Sequence, residues 1–162
     1  MAAIISDSPQ NLFSGLFPEE SSNPLLRGFA KPLADQLRGA VTDDFMELLL
    51  RGMQLSFRLS KDYRENIRGF AGTYVFRTAD GRVGCSAVFR DGEMKVDEKV
   101  RSPYDVRVSF KDAKALQRFL LAENQDILDS ILANDVEVDG NLNYIYRFGY
   151  LVRNLQNRLG VA

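Results

Sequence analysis

Few side chains in this sequence could carry out catalysis or bind a metal. The 162 residues include no histidine and one cysteine, Cys85. A Ser-His-Asp or Cys-His catalytic arrangement and the usual zinc sites are therefore excluded. Magnesium or calcium sites built from oxygen ligands need neither histidine nor cysteine and remain possible. No calcium-loop spacing of the EF-hand type is visible, however. The residue types alone thus leave carboxylates and one thiol as candidate catalytic or metal-binding groups.

Three pairs of adjacent carboxylates occur, at 19–20, 43–44 and 97–98. Asp97 and Glu98 lie at the end of a predicted strand, where neighbouring side chains point to opposite faces and do not converge. Asp43 and Asp44 fit the start of a helix. Acid–base catalysis needs two carboxylates that converge in a cleft. The sequence therefore predicts a protein that is not an enzyme, with no cofactor and no metal site.

Strand alternation places Cys85 on the inner face of a sheet, with no cationic residue beside it on that face of its own strand. A buried thiol without a neighbouring positive charge is inert. We interpret Cys85 as a core residue.

Charge and composition restrict the partners. Lys plus Arg number 21 and Asp plus Glu number 22, which gives a net charge of −1 and argues against nucleic-acid binding. No apolar run approaches a transmembrane length. The first basic residue is Arg27, so the start lacks the pattern of a secretory signal or mitochondrial presequence. With a single cysteine, these features predict a cytoplasmic protein.

The pattern of elements predicts one α+β domain over residues 41–162. Helical spacing is found over 42–60, where Phe45, Leu49 and Leu55 belong to the proposed apolar stripe. Twofold alternation follows, with Asp80-Gly81 and Asp91-Gly92 as hairpin turns of the type I′ kind, and predicts a three-stranded antiparallel meander.

Two further strands and three helices complete the prediction. Residues 105–110 and 135–139 alternate as strands, and two short helices between them carry apolar residues at helical spacing. A last helix spans about 142–159. The fold class is therefore α+β, with a five-stranded, mostly antiparallel sheet and the helices packed on one face. Residues 1–40, which contain four prolines, are predicted to form a partly ordered N-terminal arm.

Two short motifs resemble the sterol carrier protein type-2 family over about 70–150. The run 105–112 is similar to that family's fourth strand and the following helix start, and 136–142 is similar to its final strand closed by Gly-Asn. The resemblance implies an α+β layer around an apolar tunnel that binds fatty acyl chains, sterols or other lipids. Our first hypothesis is therefore non-catalytic binding of a lipid or other apolar ligand between sheet and helices.

The candidate ligand-binding residues are apolar positions that face inward from the sheet and the helices. An apolar stripe of this kind fits a ligand pocket and fits a filled core equally well at this stage. The candidates are Tyr74, Phe76, Val83, Cys85, Ala87 and Phe89 from the sheet, and Leu116, Leu120, Ile127, Ile131, Ile145, Phe148 and Val152 from the helices.

The alternative hypothesis keeps the fold and closes the tunnel. The chain would then be a protein–protein interaction or dimerisation module, and a homodimer would use the N-terminal arm and the last helix. Arg147, Arg153 and Arg158 make that helix basic. Such a helix fits transient contact with a membrane surface or a partner, or a solvated face paired with acidic neighbours.

Overall fold

The protein folds as a five-stranded mixed sheet with helices on one face, as seen in a computed structural model. The structure describes residues 42–121 and 127–159, together with Pro32. The predicted N-terminal arm, apart from Pro32, and the link 122–126 lie outside this description. The helices are α1 (Thr42–Leu59), α2 (Lys61–Glu65), α3 (Ala113–Leu121), α4 (Ile127–Leu132) and α5 (Leu142–Leu159), and the strands are β1 (Gly72–Thr78), β2 (Gly84–Arg90), β3 (Glu93–Asp97), β4 (Val106–Phe110) and β5 (Val136–Gly140).

The strands lie side by side in the order β3-β2-β1-β4-β5. The pairs β1–β2, β2–β3 and β4–β5 are antiparallel, whereas β1 and β4 are parallel. Tyr74 of β1 lies opposite Ala87 of β2 and Val106 of β4, so these residues share the inner face. The predicted α+β class, the five strands and their mostly antiparallel arrangement are confirmed.

The two Asp-Gly turns differ in conformation. Asp91 and Gly92 both have positive φ, at 55° and 73°, as a type I′ turn requires. In the first turn Gly81 has a φ of 77° and Asp80 has a negative φ. The type I′ prediction is therefore wrong for Asp80-Gly81. The side chains of Thr78 and Asp80 instead organise a wider connection, in which the Thr78 hydroxyl donates to Asp80 Oδ1 at 2.6 Å.

Helix α1 turns Phe45 and Leu49 of the predicted stripe toward the core, together with residues that the prediction left out. Met46, Leu50 and Met53 are fully buried, and Leu55 is exposed. The prediction of Leu55 on the apolar stripe is wrong, because the helix has apolar residues on more than one side and the sheet selects which of them is covered. The consequence for the site is that Met46 faces the sheet.

Short polar caps set the ends of the helices. Ser60 ends α1 and starts α2, and its side chain accepts a hydrogen bond from the Tyr63 N–H at 3.2 Å. The Asp112 carboxylate accepts from the Ala115 N–H at 2.8 Å, as expected for the start of α3. Asn141 caps α5 through the Asn143 N–H at 2.9 Å.

The connection 98–105 must pass β2 and β1 to reach β4. It crosses on the face opposite the helices, to which Ser86 points because its neighbours Cys85 and Ala87 face the core. Ser86 holds it there: its hydroxyl donates to the Lys99 carbonyl at 2.6 Å and accepts from the Arg101 N–H at 2.9 Å. On the same face Arg107 pairs with Asp139 at 3.3 Å. The helices thus cover one face of the sheet, and the candidate site lies on that side.

Candidate functional site between the sheet and helices α3, α4 and α5

The predicted site residues mostly lie together in the hydrophobic core. Ile131 is partly buried against that core. Leu120 belongs to α3, but its side chain lies outside the description. The buried members are Tyr74, Phe76, Val83, Cys85, Ala87 and Phe89 on the sheet side, and Leu116, Ile127, Ile145, Phe148 and Val152 on the helix side.

Aromatic rings fill much of the space between β1, β2 and α5. The Phe76 and Phe148 ring centroids are 4.7 Å apart, and those of Tyr74 and Phe148 are 5.4 Å apart. Phe57 of α1 packs edge-on against Phe89, with the two ring centroids 6.1 Å apart. Such pairs stabilise the packing beyond the area that they bury. This part of the predicted pocket is therefore occupied by side chains.

Two buried tyrosine hydroxyls anchor α5. The Tyr74 hydroxyl donates to the Tyr144 carbonyl at 2.8 Å, and the Tyr63 hydroxyl donates to the Leu151 carbonyl at 2.9 Å. Burial raises the pKa of both phenols well above their usual range. Both hydroxyls therefore stay protonated and remain donors at neutral pH. They fix α5 against the sheet and against α2.

A small apolar void lies where α1, α3 and α5 meet strands β1 and β4. Its volume is about 10 Å³, close to the minimum that holds one water molecule and far below that of a lipid chain. Apolar side chains make up its whole lining. They are Met46, Phe76, Val108, Phe110, Phe119, Ile145 and Phe148.

An open cleft of about 230 Å³ lies next to this void. Its floor is apolar, with Phe119, Ile127 and Ile145. Its rim on α5 is amphipathic, with Tyr146, Tyr150 and Arg153. Gly149 completes the lining. Because Phe119 and Ile145 line both spaces, the void and the cleft share one wall.

Four of the void-lining residues were missing from the predicted site: Met46, Val108, Phe110 and Phe119. Val108 and Phe110 alternate on the core side of β4, and Phe119 follows Leu116 at helical spacing, so each was visible as a core position. Met46 was missed because the predicted stripe of α1 was drawn through Phe45, Leu49 and Leu55 and did not include it. Its spacing to Leu49 and Met53 is the signal that could have revealed it.

The thiol of Cys85 lies inside the core. Burial raises its pKa to about 12. The thiolate, which is the reactive form, is therefore scarce at neutral pH. Among residues 42–121 and 127–159, no group of three or more acidic or cysteine side chains is placed to hold a metal ion.

Two arginines of α5 contact amide and aromatic groups. Arg147 donates to the Asn66 carbonyl at 3.0 Å and lies 4.2 Å from the centre of the Phe70 ring. Arg158 donates to Asn154 at 2.7 Å and lies 5.6 Å from the Tyr63 ring. Helix α5 contains no acidic residue. None of the helices in the described part of the chain has the length and apolar character needed to span a bilayer.

The fold is that of sterol carrier protein 2. A ubiquinone synthesis protein described as UbiJ-SCP2 superposes with a TM-score of 0.52 at 18% identity, over 68% of this chain and 98% of that protein. The apo form of sterol carrier protein 2 from Yarrowia lipolytica gives a TM-score of 0.51 at 15% identity, over 73% of this chain and 92% of that protein. The resemblance that the sequence motifs suggested is confirmed at the level of the fold.

The same fold also occurs as part of a larger enzyme. A stereoselective inverting sec-alkylsulfatase from Pseudomonas sp. superposes with a TM-score of 0.53 at 20% identity over 70% of this chain. The chain spans 16% of that enzyme's length. No family model matches the sequence, and no curated protein matches it.

Proposed function

We propose that the protein binds a lipid or other apolar ligand without catalysis, in the space between the sheet and helices α3, α4 and α5. The observation that carries this proposal is the cleft of about 230 Å³ whose apolar floor borders the internal void. Its amphipathic rim suits a ligand with an apolar body and a polar end. The sterol carrier protein 2 fold supports the proposal.

Binding of a whole acyl chain requires that side chains move. The void of about 10 Å³ is too small for such a chain, so the ligand must displace Phe119 or Ile145 as it enters from the cleft. Each Å² of apolar ligand surface that leaves water stabilises the complex by about 25 cal/mol, which offsets the cost of opening the wall. We therefore expect uptake that depends strongly on chain length.

Native mass spectrometry of the purified 162-residue chain, followed by solvent extraction, tests this proposal. An added mass at one ligand per chain, released as a fatty acid, sterol or phospholipid, supports it and gives the ligand class. A bare mass after incubation with a mixture of these lipids contradicts it.

The second candidate is an interaction module of the same fold, and the nearly filled void favours it. In this function the core serves stability alone, and the exposed apolar side chains contact a partner or a second copy of the chain. A mass in solution that rises with concentration, without bound lipid, supports this candidate. In both candidates the protein is non-catalytic and acts in the cytoplasm.

A further inference from the structure

Three Asp-Gly pairs occur in the chain, at 80–81, 91–92 and 139–140, and the first two are the hairpin turns. In such a pair the main-chain nitrogen of the glycine can attack the side-chain carboxyl carbon of the aspartate, because glycine has no Cβ to hinder the approach. The attack closes a succinimide ring, and it requires that the carboxyl group and the glycine N–H are both free to move. The contacts of each pair therefore decide which of the three can react.

The first pair, Asp80-Gly81, is held by hydrogen bonds at both reacting groups. The Asp80 carboxylate accepts from the Thr78 hydroxyl at 2.6 Å and from the Arg82 N–H at 3.1 Å. The Gly81 N–H donates to the Thr78 carbonyl at 3.1 Å. The hydrogen bonds from Thr78 and Arg82 also lower the pKa of the Asp80 carboxyl, whereas the protonated carboxyl is the form that loses water. Ring closure at this pair must break bonds at both groups.

The third pair, Asp139-Gly140, is held against β4. The Asp139 carboxylate accepts from the Tyr104 hydroxyl at 2.6 Å and pairs with Arg107 at 3.3 Å. Gly140 is paired with Val106 in the sheet. Ring closure here would break the side-chain contacts and would pull Gly140 away from β4.

The second pair, Asp91-Gly92, makes up the whole connection between β2 and β3, and Asp91 is exposed. Within the part of the chain that the structure describes, neither the Asp91 carboxylate nor the Gly92 N–H has a hydrogen-bond or ion-pair partner. The reacting groups of this pair are thus held by the turn alone. Local opening of an exposed turn costs much less than opening of the core.

We infer that Asp91 is a site of spontaneous conversion to isoaspartate. The Gly92 nitrogen forms a bond to Asp91 Cγ and loses its proton, while the carboxyl group loses a hydroxyl, so that one water molecule leaves. Water then adds to the ring and breaks one of its two C–N bonds. When the bond to the Asp91 main-chain carbonyl carbon breaks, the chain runs through Cβ and Cγ, and the α-carboxylate is free. Water is the one co-reactant, and the composition of the chain does not change.

The conversion lengthens the turn by one main-chain atom, between Arg90 and Glu93, which are paired across the hairpin. Strand β3 lies at the edge of the sheet, and its strand partner is β2. The longer turn no longer fits this pairing, because loop length fixes the register of a hairpin. We therefore expect faster hydrogen exchange of the β3 amides in the converted chain.

The test incubates the purified 162-residue chain in mildly acidic buffer at physiological temperature. Trypsin then releases the three pairs on separate peptides, since arginine and lysine residues lie between them. Chromatography with mass spectrometry resolves the aspartyl and isoaspartyl peptides, which have equal mass. Isoaspartate should accumulate at Asp91 roughly tenfold faster than at Asp80 or Asp139, because each of those must first lose a hydrogen bond to its carboxylate.

The same incubation in urea is the matched control, because the unfolded chain keeps the three dipeptides and loses their contacts. The three rates should then become similar. Equal rates in the folded chain, or faster conversion at Asp80 or Asp139, overturn the inference. A preference for Asp91 that persists unchanged in urea overturns it as well, since the neighbouring residues of the sequence would then cause it.

Asp91→Glu tests the effect on β3. Glutamate keeps the charge and has to close a larger ring, so this variant should form no isoaspartate at the turn and should keep slow hydrogen exchange in β3 throughout the incubation. If exchange in β3 speeds up equally in the variant and in the unmodified chain, the conversion at Asp91 is not what loosens the strand.

Discussion

Phe119 of α3 and Ile145 of α5 together separate the internal void from the open cleft. Each side chain lines both spaces, the void of about 10 Å³ and the cleft of about 230 Å³. Ile145 is buried, whereas Phe119 is partly buried. Phe119 is therefore the side chain that can leave this wall with less loss of packing.

The first prediction concerns removal of this wall. Phe119→Ala should join the void to the cleft and increase the uptake of a long-chain ligand. We expect a loss of about 2 kcal/mol in the free energy of unfolding, less than for a fully buried phenylalanine. A fluorescent fatty-acid titration measures the uptake, and urea unfolding measures the stability.

Phe110→Ala is the matched control, since Phe110 lines the void and not the cleft. It should cost more stability, about 3 kcal/mol, without making the entrance wider. If both variants change ligand uptake equally, Phe119 has no role as a wall and the entry route is wrong.

The fold could be predicted from the sequence because its signals are local. Alternation in β1 to β5 and the helix start at Asp112 depend on neighbours in the chain, and the structure confirms these elements. The volume of the site could not be predicted in this way. It depends on whether rings such as Phe76 and Phe148 meet across the core, and their 4.7 Å separation results from tertiary packing.

The face of a helix that becomes buried is another tertiary property. Helix α1 carries apolar residues on several sides, and contact with the sheet buried Met46 and left Leu55 exposed. Similarly, both Asp-Gly pairs favour a tight turn. In the first pair, however, the Asp80 side chain accepts a hydrogen bond from the Thr78 hydroxyl, and the chain makes a wider connection there.

The second prediction concerns the hydroxyl of Tyr74. Tyr74→Phe removes the hydrogen bond to the Tyr144 carbonyl and keeps the ring packing, so we expect a loss of about 1 kcal/mol in the free energy of unfolding. Urea denaturation followed by circular dichroism measures it. Tyr150→Phe is the control: its hydroxyl lies 3.3 Å from Asn66 Oδ1 at an exposed position, and its loss should cost less than about 0.5 kcal/mol. Equal costs would show that burial adds nothing to the Tyr74 bond.

The third prediction concerns the reactivity of Cys85. Burial raises the pKa of its thiol from 9.0 to about 12, so the native thiol should react very slowly with iodoacetamide at pH 8 and rapidly in urea. The protonated thiol is the form that the folded state favours. The stability due to this preference is complete below pH 9 and is lost as the pH rises toward 12. Mass spectrometry of timed samples measures the alkylation, and fast native labelling at pH 8 would place the thiol outside the core.

The last prediction concerns the end of β5, where Gly140 lies opposite Val106 with a φ of 114°. A Cβ atom at this position would overlap the Asp105 carbonyl oxygen and approach the Val106 Cα within 2.9 Å. Gly140→Ala therefore combines backbone strain with a steric clash, and we expect a loss of about 3 kcal/mol or more in the free energy of unfolding. Gly81→Ala separates the two effects, because Gly81 has a φ of 77° and open space around it. Its strain alone should cost about 1 kcal/mol. Urea unfolding of both variants measures the difference, and equal losses would mean that β4 yields to the added methyl group.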